Sequence, residues 1–274
     1  MVKIMKFRKT IAERRGIMSK ARTIAITNQK GGVGKTTTAI NLSASLAEKG
    51  KRVLVVDADQ QGNTTSGLGL EKNEIAQTIY EIFLGEATIA EVKQPTCMEG
   101  MEILPSNINL TGAEIELIGK EKREYILREE LQKVKSSYDF IIIDCPPSLN
   151  LITINALTAA DTVLVPIQCE YFALEGLEQL LHTVNLVKER LNPSLEIEGI
   201  VFTMFDARTN LSLQVVEEVK RSLGKNVYRT IIPRNVRLGE SPSHGLPISL
   251  YDPKSKGAEA YDLLAEEVME KEWK

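Results

Sequence analysis

Short apolar runs alternate with longer stretches of helical spacing along most of the chain. The runs are TIAIT (23–27), RVLVV (52–56), MEIL (101–104), FIII (140–143), TVLVPI (162–167), IEGIVFT (197–203) and VYRTII (227–232). Apolar side chains at consecutive positions predict strands covered on both faces, the pattern of a parallel sheet between helical layers. Helical segments are expected near 35–49, 74–84, 111–135, 149–160, 172–191, 211–223 and 257–271. The first places Ile40, Ala44 and Ala47 on one face and stops at Gly50, a residue suited to the left-handed turn that ends helices. No internal repeat or low-complexity tract interrupts the alternation. The expected fold is α/β: a single doubly wound domain over 23–274, its sheet mostly parallel, with helices on both faces.

Composition fits that picture. With 274 residues, 43% hydrophobic and 5% aromatic, the chain can bury one large aliphatic core. No run of eighteen apolar residues predicts a membrane span and no secretory signal is visible, so a cytoplasmic protein is expected. Cys97, Cys145 and Cys169 are far apart without CxxC spacing, and only His182 and His244 could join them. Buried or idle thiols are expected rather than a zinc or iron–sulfur site.

Charge is unevenly placed. Residues 1–22 hold eight basic side chains (Lys3, Lys6, Arg8, Lys9, Arg14, Arg15, Lys20, Arg22) against Glu13, a net +7, which leaves −10 on the remainder of a chain totalling −3. Met18 begins MSKARTIAIT and reads as a natural start, so residues 1–22 are expected to be a disordered or loosely helical basic extension. An acidic body is no general footprint for nucleic acid, although a local basic patch could still bind phosphates.

Three segments carry chemistry. TIAIT runs into Lys30-Gly31-Gly32-Val33-Gly34-Lys35-Thr36-Thr37 and then a helix, the strand–loop–helix context of a phosphate-binding loop. Its glycines let backbone N–H groups approach phosphates, and the helix presents its positive end. Lys35 is expected to neutralise phosphate charge and Thr36 to coordinate Mg²⁺. The loop is a variant: Gln29 stands where the first glycine of GxxxxGK[ST] belongs, and a second lysine, Lys30, follows it. After the second run comes Asp57-Ala58-Asp59, and strand periodicity points both acids toward the loop, one to orient water and the other to support Mg²⁺. Asp144 closes the apolar run 140–143 before Cys145-Pro146-Pro147, and suits a carboxylate acting on Mg²⁺ through the shell around it.

KGGVGKTT, VVDADQQGN and FIIIDCPPS together resemble the MinD/ParA superfamily of variant phosphate-loop ATPases. Gln168-Cys169-Glu170-Tyr171, Phe205-Asp206-Ala207-Arg208-Thr209-Asn210, Ile232-Pro233-Arg234-Asn235-Val236-Arg237 and Ser241-Pro242-Ser243-His244-Gly245 extend the resemblance to the ParA, or Soj, type of chromosome-partitioning ATPase, across about 22–270. The resemblance implies an ATP-bound homodimer in which Lys30 reaches the phosphates of the partner subunit. It implies that Asp59 positions the hydrolytic water with Asp57 nearby, and that Pro233 and Asn235 hold the adenine end. It also implies non-specific binding of double-stranded DNA by the ATP dimer, association with the nucleoid, and stimulation by a DNA-bound partner of ParB/Spo0J type. Arg208, Arg237, Lys220, Arg221 and Lys225, with Arg229 and Arg234, are the candidate phosphate contacts. His244 is expected to serve a turn rather than chemistry.

Rival readings make different demands. A MinD-like membrane-positioning ATPase needs a basic amphipathic C-terminal helix. The tail here carries Glu259, Asp262, Glu266, Glu267, Glu270 and Glu272 against Lys271 and Lys274, and its Tyr261, Leu264, Ala265 and Val268 stripe suits docking on the body. An electron-transfer protein like the nitrogenase iron protein needs cluster-bridging cysteines, and a nucleotide-binding scaffold needs none of Asp57, Asp59 and Asp144. Positioning of a plasmid or another cargo by the same ATPase core stays open.

Overall fold

The computed structural model describes residues 21–170, 173–206 and 208–271, except the side chain of Lys225. Residues 1–20, Tyr171, Ala207, Glu272 and Lys274 lie outside the described residues. The strands are β1 (Arg22–Ile26), β2 (Val53–Asp57), β3 (Gln94–Pro95), β4 (Met101–Leu104), β5 (Phe140–Asp144), β6 (Thr162–Gln168), β7 (Glu196–Phe205) and β8 (Val227–Pro233). They form one sheet in the order β3-β4-β2-β5-β1-β6-β7-β8. Every pairing is parallel except the β3–β4 edge. All seven apolar runs are strands, and only the two-residue β3 carries no periodic signal.

The helices among the described residues are α1 (Lys35–Glu48), α2 (Asn63–Gly67), α3 (Ile79–Leu84), α4 (Ile89–Val92), α5 (Leu110–Glu116), α6 (Ile126–Val134), α7 (Leu151–Ala159), α8 (Ala173–Arg190), α9 (Asn210–Leu223), α10 (Val236–Glu240), α11 (Ile248–Tyr251) and α12 (Lys256–Glu270). The long helix expected over 111–135 is two, because Gly119 and Lys122 adopt positive φ of 88° and 55° and turn the chain between them. The segment expected to start at 74 begins at Ile79, where Thr78 and Glu81 cap each other's backbone. Arg22, placed in the extension by its charge, is the buried first residue of β1.

Side chains alternate across the sheet to build two cores. Ile24, Ile26, Val53, Val55, Ile142 and Leu164 pack with α1 and α12 on one face, while Leu54, Val56, Ile141, Ile143, Val163 and Val165 pack with α3, α6, α7 and α8 on the other. α1 is buried from Thr38 to Ala47 rather than on one face, since it is wedged between the sheet and α12. The stripe Tyr261, Leu264, Ala265 and Val268 of α12 is buried there as its spacing predicts, and the Tyr261 hydroxyl meets Thr38 Oγ1 at 3.1 Å. Among the described residues no helix is long and apolar enough to cross a membrane.

At the sheet end opposite the phosphate loop, buried Glu198 fastens four strands. It pairs with Arg22 of β1 and accepts from Thr162 Oγ1 of β6 and the Tyr228 hydroxyl of β8, both at 2.7 Å. Arg22 also donates to the Val268 carbonyl of α12 at 2.9 Å. A carboxylate this buried is tolerated because both of its oxygens are answered. Beside it, a Cβ on Gly199 would strike the Tyr228 ring. Gly199→Ala is expected to cost about 1–3 kcal/mol by overpacking, read as a lower urea midpoint at constant slope. An unchanged midpoint would mean that Tyr228 swings aside freely.

Candidate functional site

The loops that follow β1, β2, β5 and β7 meet at the carboxyl edge of the sheet, where open α/β sheets bind ligands. The loop after β1 is shaped first by Asn28. Its Nδ2 donates to the Pro166 carbonyl at 2.8 Å and its Oδ1 accepts the Lys30 N–H at 3.0 Å, which turns the chain away from the strand. Gly32 and Gly34 then take φ of 75° and 88°, a region closed to most side chains with a Cβ, and Gly34 caps α1. Thr203 of β7 holds the far side through an Oγ1 donation to the Val33 carbonyl at 2.8 Å. Backbone N–H groups and the positive end of a fourteen-residue helix therefore share one hollow.

The two lysines of the loop part company. Lys35 is buried in the hollow and donates to the Lys30 carbonyl at 3.1 Å. Burial pulls its pKa down from the ordinary lysine value, and Asp144 pushes back. Lys30 instead turns its ammonium out to Glu170, beyond the end of β6, and does not line the hollow.

Asp144 sits at the end of β5 with Oδ2 accepting from Thr36 Oγ1 at 2.8 Å and from Thr64 Oγ1 at 2.7 Å. Its Oδ1 is buried without a hydrogen-bond partner among the described residues. Burial raises its pKa to about 6 against the help of those two hydroxyls. An orphaned carboxylate oxygen behind a threonine hydroxyl fits a hydrated hard cation. Among the described residues no group of three or more His, Cys, Asp or Glu could hold a metal, so such an ion would draw on Thr36, water and the oxygens of a bound ligand.

Asp57 and Asp59 do not face the loop together. Asp59 lines the hollow and folds its own turn, accepting the Gln61 N–H at 2.9 Å. Asp57 is fully buried, with Oδ2 taken by the Thr65 N–H at 2.8 Å and the Thr65 hydroxyl at 2.7 Å, and Oδ1 by the Asp59 N–H at 3.2 Å. Burial, then the nearby Asp144 charge, raises its pKa to about 7. The alternation that aligned the two acids ends with β2 at Asp57, and the turn beyond sends Asp59 elsewhere. Asp57 thus holds the Asp59 turn and α2 in place, and its carboxylate is outside the cleft.

The cleft has two compartments. One of about 440 Å³ is lined by Gly31, Gly32, Lys35, Thr36, Asp59 and Gln61, among others. The other, of about 220 Å³, is lined by Ile232, Pro233, Arg234, Asn235, Leu238 and Tyr261, among others. They share Gly34, Thr37 and Met204, so one ligand with an anionic end and a flat, mostly apolar end would span both. Met204 forms the divider with φ of 49°, uncommon for a residue with a side chain. Neither that backbone nor the part played by Thr203 is marked in the sequence. Asn28, Thr64 and Thr65 had a weak signal, being small polar residues beside the glycines.

The basic candidates form two groups. Arg208 follows β7, and Arg234 and Arg237 follow β8, at a corner where Phe205 pairs with Pro233 and the Arg234 N–H bonds the Phe205 carbonyl at 3.1 Å. Lys220 and Arg221 lie in the last turn of α9, about 15 Å or more along that helix from its start beside Arg208. Arg208 is 87% exposed and forked onto Asp206, Arg221 pairs with Glu218, and Arg229 pairs with Glu267 and Glu270. His244 closes a short 3₁₀ turn and stacks on Tyr251 at 4.9 Å between ring centroids.

This sheet, the glycine loop at the carboxyl end of β1 and the acid at the end of β5 define a phosphate-loop nucleotide-binding protein of the two-lysine kind. A family model described as an AAA domain matches residues 21–197. The chain is 60% identical to the sporulation initiation inhibitor protein Soj of Bacillus subtilis, over 89% of this chain and 97% of that one. It is 55% identical to the chromosome partitioning protein ParA of Myxococcus xanthus, over 94% and 91%. Among solved structures it is similar to a cobyrinic acid a,c-diamide synthase of Mycobacterium smegmatis with bound ATP analogue and magnesium, with a TM-score of 0.81 and 40% identity over 91% and 94%. The chain belongs to the ParA/Soj family of chromosome-partitioning ATPases.

Proposed function

We propose that this protein is a DNA-partitioning switch that binds ATP with Mg²⁺, dimerises, grips duplex DNA without sequence preference, and resets by hydrolysing ATP to ADP and phosphate. The observation that carries the reading is the cleft that joins a glycine-and-lysine hollow to a flat, mostly apolar cavity through Gly34, Thr37 and Met204. The triphosphate lies in the hollow on Lys35 and the loop N–H groups, with the base between Pro233 and Asn235. Mg²⁺, when bound, spreads the phosphate charge, held by Thr36 and, through water, by Asp144. Among the described residues Asp59 is the one carboxylate that lines the cleft, so it is the group assigned to orient the attacking water.

Lys30 gives dimerisation its link to nucleotide. Its ammonium leaves its own cleft for Glu170 on the rim, so it is free to exchange that partly exposed carboxylate for a phosphate presented by a second subunit. ATP then stabilises the pair more than the monomer. Arg208 and Arg237 contact DNA phosphates at the corner beside the cleft, with Lys220, Arg221 and Lys225 further along. A DNA-bound partner of ParB/Spo0J type accelerates hydrolysis, and the protein is cytoplasmic, with its ATP-bound form associated with the nucleoid. A membrane-positioning role is the weaker reading, because the apolar stripe of α12 is spent in the core and its outer face is acidic.

The test compares ATP with ADP. ATP and Mg²⁺ should shift gel-filtration mass to the dimer and produce salt-sensitive binding to arbitrary duplex DNA. Arg208→Ala and Arg237→Ala should each weaken that binding several-fold and leave basal turnover in place. Each should also flatten the log–log salt dependence by about 0.9 for every DNA phosphate that the removed guanidinium had neutralised. Equal behaviour in ATP and ADP would refute the switch.

A further inference from the structure

The helix that carries Arg237 belongs to two environments at once. On its inner side Leu238 and Gly239 wall the base compartment, and Asn235, which caps α10 by accepting the Arg237 N–H at 2.8 Å, lines the same compartment. On its outer side the Arg237 guanidinium is held between acids from two elements. Its NH1 donates to Glu240 Oε2 at 2.8 Å, and its Nε lies 3.6 Å from Asp252 Oδ2, just past α11. Glu240 is fixed in turn by the Tyr251 hydroxyl at 3.3 Å, and the Tyr251 ring leans on His244.

We propose that Glu240 and Asp252 form an acidic clamp that competes with DNA phosphates for Arg237, so that DNA must displace the clamp to be gripped. The proposal rests on the reading that Arg237 contacts DNA. An exposed ion pair contributes little to folding, so the clamp has little structural purpose. Its effect falls on an incoming anion, which finds Arg237 already neutralised and two carboxylates beside it. The arrangement differs from that of Arg208, whose acid, Asp206, is two residues away on the same loop. Around Arg237 one acid, Glu240, lies three residues along the same helix, while the other, Asp252, reaches in from the separate segment after α11. Because α10 itself walls the base compartment through Leu238 and Gly239, the clamp can respond to what fills that compartment.

Glu240 and Asp252 line neither compartment, so their amides should leave basal ATP turnover unchanged. With ATP and Mg²⁺ on a random-sequence duplex, Glu240→Gln should tighten binding by about two- to five-fold, the range of an exposed charge pair. Asp252→Asn, in a different element, should change affinity in the same direction and provides the test if Glu240→Gln folds poorly. In the Arg237→Ala background neither amide should add affinity. A gain that survives Arg237→Ala would be general charge relief and would overturn the clamp, as would no gain in either single variant. If Arg237→Ala alone leaves DNA binding unchanged, the DNA role of Arg237 itself is refuted.

Discussion

Lys35→Ala is expected to reduce ATP turnover by about 10²-fold or more and to erase every difference between ATP and ADP in dimerisation and DNA binding. Among the described residues Lys35 is the only lysine lining the hollow, and burial has stripped it of water, so its charge is available to a phosphate rather than to solvent. The nearby arginines do not replace it, since Arg208, Arg234 and Arg237 lie at the base end or beyond. The fold should survive. The loop is held by Asn28 on Pro166 and by Thr203 on Val33, and the bond that the Lys35 ammonium donates to the Lys30 carbonyl is dispensable to that frame. Circular dichroism should therefore match the parent while titration with a fluorescent ATP analogue shows no saturable binding. A variant that still dimerised on ATP would place the triphosphate elsewhere.

The sheet was legible in the sequence because its strands are buried on both faces and so read as unbroken apolar runs. The helices were legible where they are long. The five-residue α2 and α10 and the four-residue α4 and α11 are too short for a 3.6-residue period to repeat twice, and they were missed. α10 matters most among them, because it joins the base compartment to Arg237. The break between α5 and α6 was written in Gly119, but Lys122 at positive φ has no such mark.

The site divides along the same physical line. Residues whose chemistry is intrinsic stood out: glycines in a loop, a lysine and threonine after them, acids at strand ends. Residues that act by position did not. Met204 is an ordinary side chain on an unusual backbone, and Thr64 and Thr65 gain meaning only when α2 brings them to Asp144 and Asp57. The pairing of Asp57 with Asp59 followed a strand rule past the end of the strand. Lys30 shows the opposite case, a residue noticed because it breaks the usual loop pattern and found with its ammonium outside its own cleft.

Asp59→Ala should separate binding from turnover. Turnover should fall by about 10²–10⁴-fold, the range for removing a group that orients or deprotonates a nucleophile. ATP affinity should change little, because Lys35, Thr36 and the glycine loop are untouched, and the ATP dimer should accumulate on DNA without release. Asp59 also accepts the Gln61 N–H, so a loosened turn is a second route to the same fall in rate. Asp59→Asn keeps an acceptor at that place and removes the negative charge. If turnover stays low in Asn and single-turnover assays show intact ATP binding, the carboxylate acts on water. Recovery in Asn would reduce Asp59 to a turn-holder and move the search to Gln60 and Gln61, which share the compartment wall. Asp57, already bonded to Thr65 and the Asp59 backbone, cannot substitute in either variant without releasing α2 from its anchor.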